Sequence, residues 1–248
     1  MAIIDFKPIK LDQQLDLLGT VAMTDGTRPI VFLLPEKHDD NNCIGQNIHN
    51  ALVLSDAHLI GVVGVEQYPP HPYDIKAEIS KEPAVQRDGG IEDYGRCLRA
   101  NFGGTDTSVI AKIRSLPNTP GKVGQSFARN LLFLRLDINI VGVEDLSFRS
   151  SAQIANEKAA GMFHDVKDDI ERQKKQVAAF RELNYEGERK RDAAFIRHAD
   201  EAYQRLGGGG GIIINGGGQH IRRIEADLKA AGRAVVLIVP DGYVDFLG

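Results

Sequence analysis

The chain has 248 residues, of which 42% are hydrophobic and 26% charged, and its formal net charge is −4. This length is sufficient for one large α/β domain or two small ones, with a core that needs no cross-links. The weak negative charge and the lack of a basic stripe argue against a nucleic-acid partner, because phosphate binding requires clustered lysines and arginines. Cys43 and Cys97 could form one disulfide, but neither has the CxxC spacing of a metal or redox site.

The start of the chain lacks the basic segment and the apolar segment of a secretory signal. No apolar run approaches the ~20 residues that a membrane-spanning helix needs. The sequence therefore predicts a cytoplasmic protein without a membrane span, and a mature protein whose signal has already been removed is the alternative.

The first predicted elements form a β-hairpin. Leu15–Met23 is followed by Thr24-Asp25-Gly26-Thr27 and then by the apolar run Ile30–Leu34. An Asp-Gly pair favours a tight turn between two strands. The hairpin would add one antiparallel strand to the sheet.

Short apolar runs predict buried strands, and most stretches between them have helical spacing. The strands are Ile30–Leu34, Leu59–Val65, Ile138–Val143, Gly211–Ile214 and Ala234–Val239. The helices are Ile44–Ala57, Val166–Leu183, Glu186–Leu206 and His220–Ala231. Strands that alternate with helices imply crossover connections, and hence a three-layer α/β fold with a mostly parallel central sheet and helices on both faces.

The segment 67–125 fits this alternation badly. Prolines interrupt its start, and short helices are predicted only at Ile91–Arg99 and Thr107–Ser115. A long insertion after the carboxyl end of a strand is typical of a cap over a binding site, and a solvated excursion without a role is the alternative. The sequence thus predicts a single α/β domain, residues 1–248, with a cap-like insertion.

The tetrapeptide Val-Gly-Val-Glu occurs twice, at 63–66 and 141–144, each time at the end of an apolar run. Glu66 and Glu144 are therefore expected where a buried strand ends. In open α/β sheets, the carboxyl ends of the strands form the edge at which ligands bind. The repeat predicts a polar site at this edge; a glutamate favoured by the dipole of the following helix is the alternative for each residue.

Other strand ends also carry an imidazole or a carboxylate. Glu36 and His38 follow the run Ile30–Leu34, and His220 follows the glycines Gly216–Gly218 at the start of a helix. These glycines would let the backbone approach a ligand and present helix N-terminal amides to it, although a plain tight turn needs them too. Because parallel strands bring their ends together, the histidines and acids are expected to converge in one pocket.

Two neutral imidazoles with one or two carboxylates are common ligands of a catalytic divalent metal. The predicted ligands are His38, Glu66, Glu144 and His220. Such a metal would lower the pKa of a bound water, and Glu36 or Glu144 would accept the proton. Without metal, a histidine paired with a glutamate can activate water directly, so both chemistries stay open. Four other histidines are predicted to be structural or surface residues: His49, His58, His71 and His164.

One face of a predicted helix carries five marked residues: Glu188, Arg191, Asp192, Phe195 and His198. Arg191 is expected to bind an anionic group or to hold a catalytic glutamate in a bidentate pair. Glu188 and His198 are expected to make ordinary ion pairs on a solvated face.

The order of these motifs resembles that of the superfamily of ChaN-like haem-binding proteins, TraB/Tiki metal-dependent peptidases and erythromycin esterases. That pattern has a strand ending in Gly-Glu-x-His, a second ending in Glu, an Arg-Asp/Asn-x-x-Met helix and a later strand ending in Gly-x-x-His. The matching segments span roughly residues 30 to 240 and are Pro35-Glu36-Lys37-His38, Glu66, Arg191-Asp192-Ala193-Ala194-Phe195 and Gly217-Gly218-Gln219-His220. Pro35 in place of glycine and Phe195 in place of methionine depart from it.

The resemblance implies a set of catalytic residues: Glu36, His38, Glu66, Arg191 and His220, with Glu144 as the carboxylate that ends the middle strand. Members of the superfamily hydrolyse peptides, hydrolyse a macrolactone ester, or bind haem, so the fold does not decide the function. The leading hypothesis is a hydrolase of an ester or amide in a small molecule or peptide. The alternatives are a non-catalytic haem- or metal-binding protein, and a degenerate member that acts through its surface.

Overall fold

The structure is a computed structural model that describes residues 15–118, 126–145 and 170–243. Its strands are β1 Thr20–Thr24, β2 Thr27–Glu36, β3 Ile60–Val65, β4 Ile140–Gly142, β5 Gly211–Gly217 and β6 Arg233–Val239. Its helices are α1 Asn41–Asp56, α2 Ile75–Ser80, α3 Pro83–Arg87, α4 Ile91–Asn101, α5 Asp106–Ser115, α6 Phe127–Leu134, α7 Ile170–Arg205 and α8 Gly218–Ala230. Both short helices predicted in the insertion are present, whereas the two long predicted helices form one continuous helix, α7, from residue 170 onward; residues 166–169 of the first prediction lie outside the described residues.

The six strands form one sheet in the order β1-β6-β2-β5-β3-β4. Every neighbouring pair is parallel except β1 with β6, so the predicted mostly parallel sheet with one antiparallel strand is confirmed. The predicted pairing of that strand with β2 is wrong, because β6 lies between them. The Asp25-Gly26 link crosses the start of β6, where a Cβ on Gly26 would collide with the Arg233 backbone. The apolar β6 is buried inside the sheet, whereas the largely exposed β1 lies at its edge.

Helices cover both faces of the sheet, and two hydrophobic clusters fill the spaces between the layers. Consecutive residues of a strand point to opposite faces, so Phe32 and Leu34 belong to one cluster and Val31 and Leu33 to the other. The first cluster includes the buried residues of α1 and α6, and the second those of α7 and α8. The predicted three-layer architecture is therefore confirmed.

The helices of the insertion extend the layer that contains α1. Ile75, Ile79, Val85 and Ile91 lie in the same hydrophobic cluster as α1, and α5 packs directly on α1. This burial is inconsistent with a solvated excursion, and the cap role of the segment stays a prediction. Across the described ranges, no helix combines the length and the apolar character needed to cross a bilayer.

Two buried amides of α1 hold the ends of the β1–β6 pair. Gln46 accepts from the Asp241 amide (2.8 Å) and donates to the Asp241 carbonyl (3.0 Å). Asn50 does the same with Leu18, at 2.8 and 2.9 Å. Each amide thus satisfies both backbone polar groups of its partner, as a neighbouring strand would. The chain just before β1 and just after β6 is thereby fixed against α1.

Candidate active site

All of the predicted site residues lie at the carboxyl edge of the sheet. Glu36 ends β2 in register with Gly217, Glu66 follows β3, and Glu144 lies two residues beyond β4. His220 lies in the first turn of α8, and Arg191 comes from α7. With Glu188, Asp192 and Arg223, these residues form a polar group that we call the His/Glu cluster: Glu36, His38, Glu66, Glu144, Glu188, Arg191, Asp192, His220 and Arg223.

Glu66 lies at the centre of this cluster. Its Oε2 accepts a hydrogen bond from the Gly217 amide (2.6 Å) and lies 3.5 Å from Nε2 of His38. Its Oε1 lies 3.5 Å from Nη2 of Arg191 and 3.8 Å from Nε2 of His220. The carboxylate can lie so close to β5 because glycines end that strand, and a Cβ on Gly216 would already lie 3.1 Å from Oε2.

Each imidazole is held by a carboxylate on its far side. Nδ1 of His38 lies 3.0 Å from Glu36, and Nδ1 of His220 lies 2.5 Å from Asp192, which is 0% exposed. Nε2 of His38 lies 3.5 Å from Glu66, and Nε2 of His220 lies 3.3 Å from Glu188 and 3.8 Å from Glu66. A carboxylate at Nδ1 fixes the orientation of the ring and favours the tautomer with its hydrogen on Nδ1. The structure therefore contains two carboxylate–imidazole pairs that face one another across a third carboxylate.

Arg191 holds three carboxylates together. It lies 2.7 Å from Glu144, 3.0 Å from Glu188 and 3.5 Å from Glu66. Burial alone would lower its pKa, but the surrounding carboxylates, Glu188 first, raise it. The expected contact with a site glutamate is present, although it is made by one nitrogen rather than as a bidentate pair.

Sequence reasoning missed three members of the cluster. Glu188 was expected on a solvated face, but it bridges Arg191 and Arg223 and lies 3.3 Å from Nε2 of His220. Asp192 was predicted only as part of the motif on the α7 face, and no role was predicted for Arg223. In the structure, Nε of Arg223 donates a hydrogen bond to Asp192. The helical spacing defined a common face for the α7 residues, but it could not show that this face contacts α8. His198 lies 3.3 Å from Glu201, but its side chain is only 11% exposed, so the expected solvated position is wrong.

The two departures from the superfamily pattern are accommodated locally. Pro35 is still part of β2, in register with Gly216, and the following turn begins beyond it, with a bond from the Asp40 amide to the Lys37 carbonyl (2.9 Å). Phe195 is buried, and its ring centroid lies 5.3 Å from that of His220. The proline thus leaves the His38 turn intact, and the phenylalanine supports the His220 ring.

The electrostatics of the cluster keep His38 protonated at neutral pH. Hydrogen bonds to Glu36 and then Glu66 raise the pKa of His38 to about 10, against the opposing effect of burial. Burial alone would raise the pKa of Glu66, but the hydrogen bonds from His38 and from the Gly217 amide act against it, and the pKa is lowered to about 2. His38 and Glu66 therefore form an ion pair across the neutral range.

The free energy of unfolding is expected to fall as the pH rises above neutrality, and the fall should depend on His38. Because its folded pKa lies above the ordinary 6.5, its contribution is complete below that pH and is lost as the pH rises through about 10. The contribution of Glu66 is complete above 4.5 and is lost as the pH falls through about 2. The His38 side chain is 37% exposed, so solvent screening limits the alkaline effect to about 1 kcal/mol.

Urea unfolding of the wild type and of His38→Gln across the alkaline range measures this effect. The control is His71→Gln, at an exposed histidine, which should keep the wild-type pH dependence. The same alkaline slope in His38→Gln and in the wild type would contradict the ion pair.

The predicted metal ligands match the structure only in part. A carboxylate on Nδ1 with Nε2 directed inward is common around metal-binding histidines. Both oxygens of Glu144, however, accept hydrogen bonds, from Arg191 (2.7 Å) and from the Gln67 amide (2.9 Å), so Glu144 does not fit as a ligand. In the described part of the chain, no group of three His, Cys, Asp or Glu side chains is placed to hold a metal ion. Metal binding stays a prediction.

The surroundings of the two imidazoles do not fit a haem. A haem iron needs an imidazole nitrogen that faces an apolar slot, but both ring nitrogens of each histidine lie near carboxylates. These are Glu36 and Glu66 for His38, and Asp192 and Glu188 for His220.

Comparison of the chain with models of known protein families, with curated proteins and with solved structures finds no match in any of the three. The superfamily resemblance therefore stays a prediction.

Proposed function

We propose that the protein is a hydrolase that cleaves an ester or amide bond, with His220 as the general base and His38 as the general acid. The observation that carries this proposal is the opposed arrangement of the Asp192–His220 and Glu36–His38 pairs on the two sides of Glu66. Acyl hydrolysis needs one group to accept a proton from water and another to donate a proton to the leaving group. The cluster supplies one imidazole for each task.

The first step is attack by water. When His220 donates its Nδ1 hydrogen to Asp192, its Nε2 is left as an acceptor close to Oε1 of Glu66. A water molecule bound by these two atoms transfers a proton to Nε2 as its oxygen attacks the carbonyl carbon. The electron pair of the carbonyl π bond moves to oxygen and forms a tetrahedral oxyanion.

The second step breaks the bond to the leaving group. The oxyanion collapses, the C–O or C–N bond is cleaved, and the leaving atom takes a proton from Nε2 of His38. The proton held by His220 then returns to His38 through the solvent, so the net products are a carboxylic acid and an alcohol or amine. His38 suits the donor role because Glu36 and Glu66 keep its imidazole protonated at neutral pH.

The other cluster residues position these groups. Glu66 stays ionised between the two imidazoles, while Arg191 holds Glu66 close to Glu144 and Glu188. His38 is the more exposed imidazole, so a small-molecule or peptide substrate enters from its side. The resemblance to esterases and peptidases agrees with this choice as an analogy of motifs.

Hydrolysis of 4-nitrophenyl acetate and 4-nitroacetanilide, an ester and an amide, tests the proposal. His38→Gln should lower kcat for 4-nitroacetanilide by about 10²-fold, because glutamine keeps a hydrogen bond but supplies no acidic proton to the departing amine. The effect on 4-nitrophenyl acetate should be much smaller, because 4-nitrophenolate leaves without a proton. His71→Gln is the control at an exposed histidine and should retain the wild-type kcat.

Three outcomes would overturn the proposal or its metal-free form. If the wild type hydrolyses neither probe, the proposal that the protein is a hydrolase is wrong. Loss of activity with a chelator, restored by a divalent metal, contradicts the metal-free mechanism. A saturable Soret band on titration with haem, without hydrolysis, identifies the haem-binding alternative.

A further inference from the structure

The imidazole of His220 lies between two carboxylates from one turn of α7. Its Nδ1 lies 2.5 Å from Oδ1 of Asp192, and its Nε2 lies 3.3 Å from Oε2 of Glu188. Glu188 and Asp192 are four residues apart, so they share one face of the helix. In the proposed reaction Asp192 orients the ring and fixes its tautomer, whereas Glu188 lies beside the nitrogen that accepts the proton from water.

Two guanidinium groups hold the carboxylate of Glu188 in place. Its Oε1 accepts a hydrogen bond from Nη1 of Arg191 (3.0 Å), and its Oε2 accepts one from Nη2 of Arg223 (3.2 Å). Arg191 belongs to the same helix, and Arg223 comes from α8, three residues after His220. Both carboxylate oxygens therefore have donors that are independent of His220, and the side chain is fixed where α7 meets α8.

The contact between Glu188 and His220 becomes attractive during the proposed reaction. While Nε2 carries no proton, it and Oε2 of Glu188 are both acceptors. When Nε2 takes a proton from water, the ring becomes a cation 3.3 Å from a carboxylate. Glu66 lies farther from Nε2, at 3.8 Å, and already pairs with the charged His38. An interaction that is stronger in the transition state than in the ground state accelerates the chemical step.

We propose that Glu188 is a positioning residue that acts through His220: its fixed negative charge stabilises the imidazolium as it forms. The inference rests on the proposed hydrolysis. The proton stays on Nε2 until it leaves through the solvent, and no bond to Glu188 forms or breaks, so the proton balance of the reaction is unchanged. Because two arginines already align the carboxylate, it needs no reorganisation when the charge develops.

Glu188→Gln tests the inference, because it removes the charge and keeps the size of the side chain. With 4-nitrophenyl acetate, kcat should fall by about 10- to 10²-fold, with KM within about threefold of the wild-type value. Hydrolysis of this ester depends on the base that activates water but hardly on the acid, since 4-nitrophenolate leaves without a proton. The ester should therefore reveal the loss in Glu188→Gln, whereas it should respond only weakly to His38→Gln.

A matched control lies on the same helix. Glu201 lies 3.3 Å from a ring nitrogen of His198, outside the His/Glu cluster, and Glu201→Gln should keep the wild-type kcat. Glu188→Ala separates charge from structure, because formate can enter the space left by the carboxylate and pair with Arg191 and Arg223. Sodium formate should raise kcat of this variant by about fivefold or more, whereas sodium chloride at the same concentration should not.

The outcomes separate this inference from the proposed function. If the wild type hydrolyses the ester and folded Glu188→Gln keeps the same kcat, the role of Glu188 is wrong and the hydrolase stands. A rise in KM at constant kcat also overturns the role, since Glu188 would then only contact the substrate. A loss that formate does not reverse in Glu188→Ala overturns it as well, because displaced arginines would then be the cause. If the wild type hydrolyses neither probe, both proposals are wrong.

Discussion

Replacing Asp192 by asparagine is expected to lower kcat of the proposed hydrolysis by about 10³- to 10⁴-fold while the protein stays folded. Asp192 is fully buried and accepts from Nδ1 of His220 and from Arg223. Asparagine has nearly the same shape, but its NH₂ group can donate to Nδ1 and thereby place the imidazole hydrogen on Nε2. The nitrogen that must accept a proton from water would then already carry one.

The loss of activity and its cause can be measured separately. Steady-state kinetics with 4-nitrophenyl acetate give kcat, and ¹⁵N chemical shifts of the His220 ring report which nitrogen carries the hydrogen. Asp200→Asn is the matched control on the same helix, because Asp200 pairs with Arg233 rather than with a histidine. A folded Asp192→Asn protein with wild-type kcat would rule out His220 as the base.

Replacing Arg191 by methionine is expected to lower the free energy of unfolding by about 3–5 kcal/mol, because removing one partner of a buried ion pair leaves an uncompensated charge. The Arg191 side chain is 12% exposed and contacts Glu66, Glu144 and Glu188. Glu144 is 1% exposed, and its Oε1 bonds to Arg191. Methionine fills a similar length of space, so the loss of unfolding free energy is due mainly to the missing positive charge.

Urea unfolding at neutral pH measures this effect. The control Arg189→Met removes a guanidinium that is 51% exposed and pairs with Asp227, and it should cost less than about 1 kcal/mol. Adding Glu144→Gln to Arg191→Met should recover part of the loss, because the buried charge is then removed with its partner. A double variant no more stable than Arg191→Met would show that the Glu144 charge is not the cause.

The strand positions follow from local residue patterns. Runs such as Ile212-Ile213-Ile214 can be buried on both faces only inside a covered parallel sheet, and all five predicted strands are present. The first strand was harder to place. β1 and β2 are separated by two residues, yet they do not pair, because the apolar β6 gains more from the interior position than the exposed β1 would.

The site was anticipated where it depends on topology. Glu36, Glu66 and Glu144 each lie at the carboxyl end of a parallel strand, and parallel strands present all these ends at one edge. The partners of these residues were not anticipated. Glu144, a predicted metal ligand, instead accepts hydrogen bonds from Arg191 and from the Gln67 amide. The contact with Arg191 depends on how α7 crosses the sheet.

The hydrophobic periodicity of the chain and its glycine and proline positions therefore specify which segments are strands and which face of each helix is apolar. They also specify which polar residues lie at a strand end. These properties involve neighbours along the chain, so residue order is enough to define them. Asp192 and Arg223 beside His220, Glu188 between two arginines, and Tyr243 beside Gly218 are contacts between distant segments. They depend on the packing of α7 against α8 and on the order of β6, β2 and β5, which no local pattern encodes.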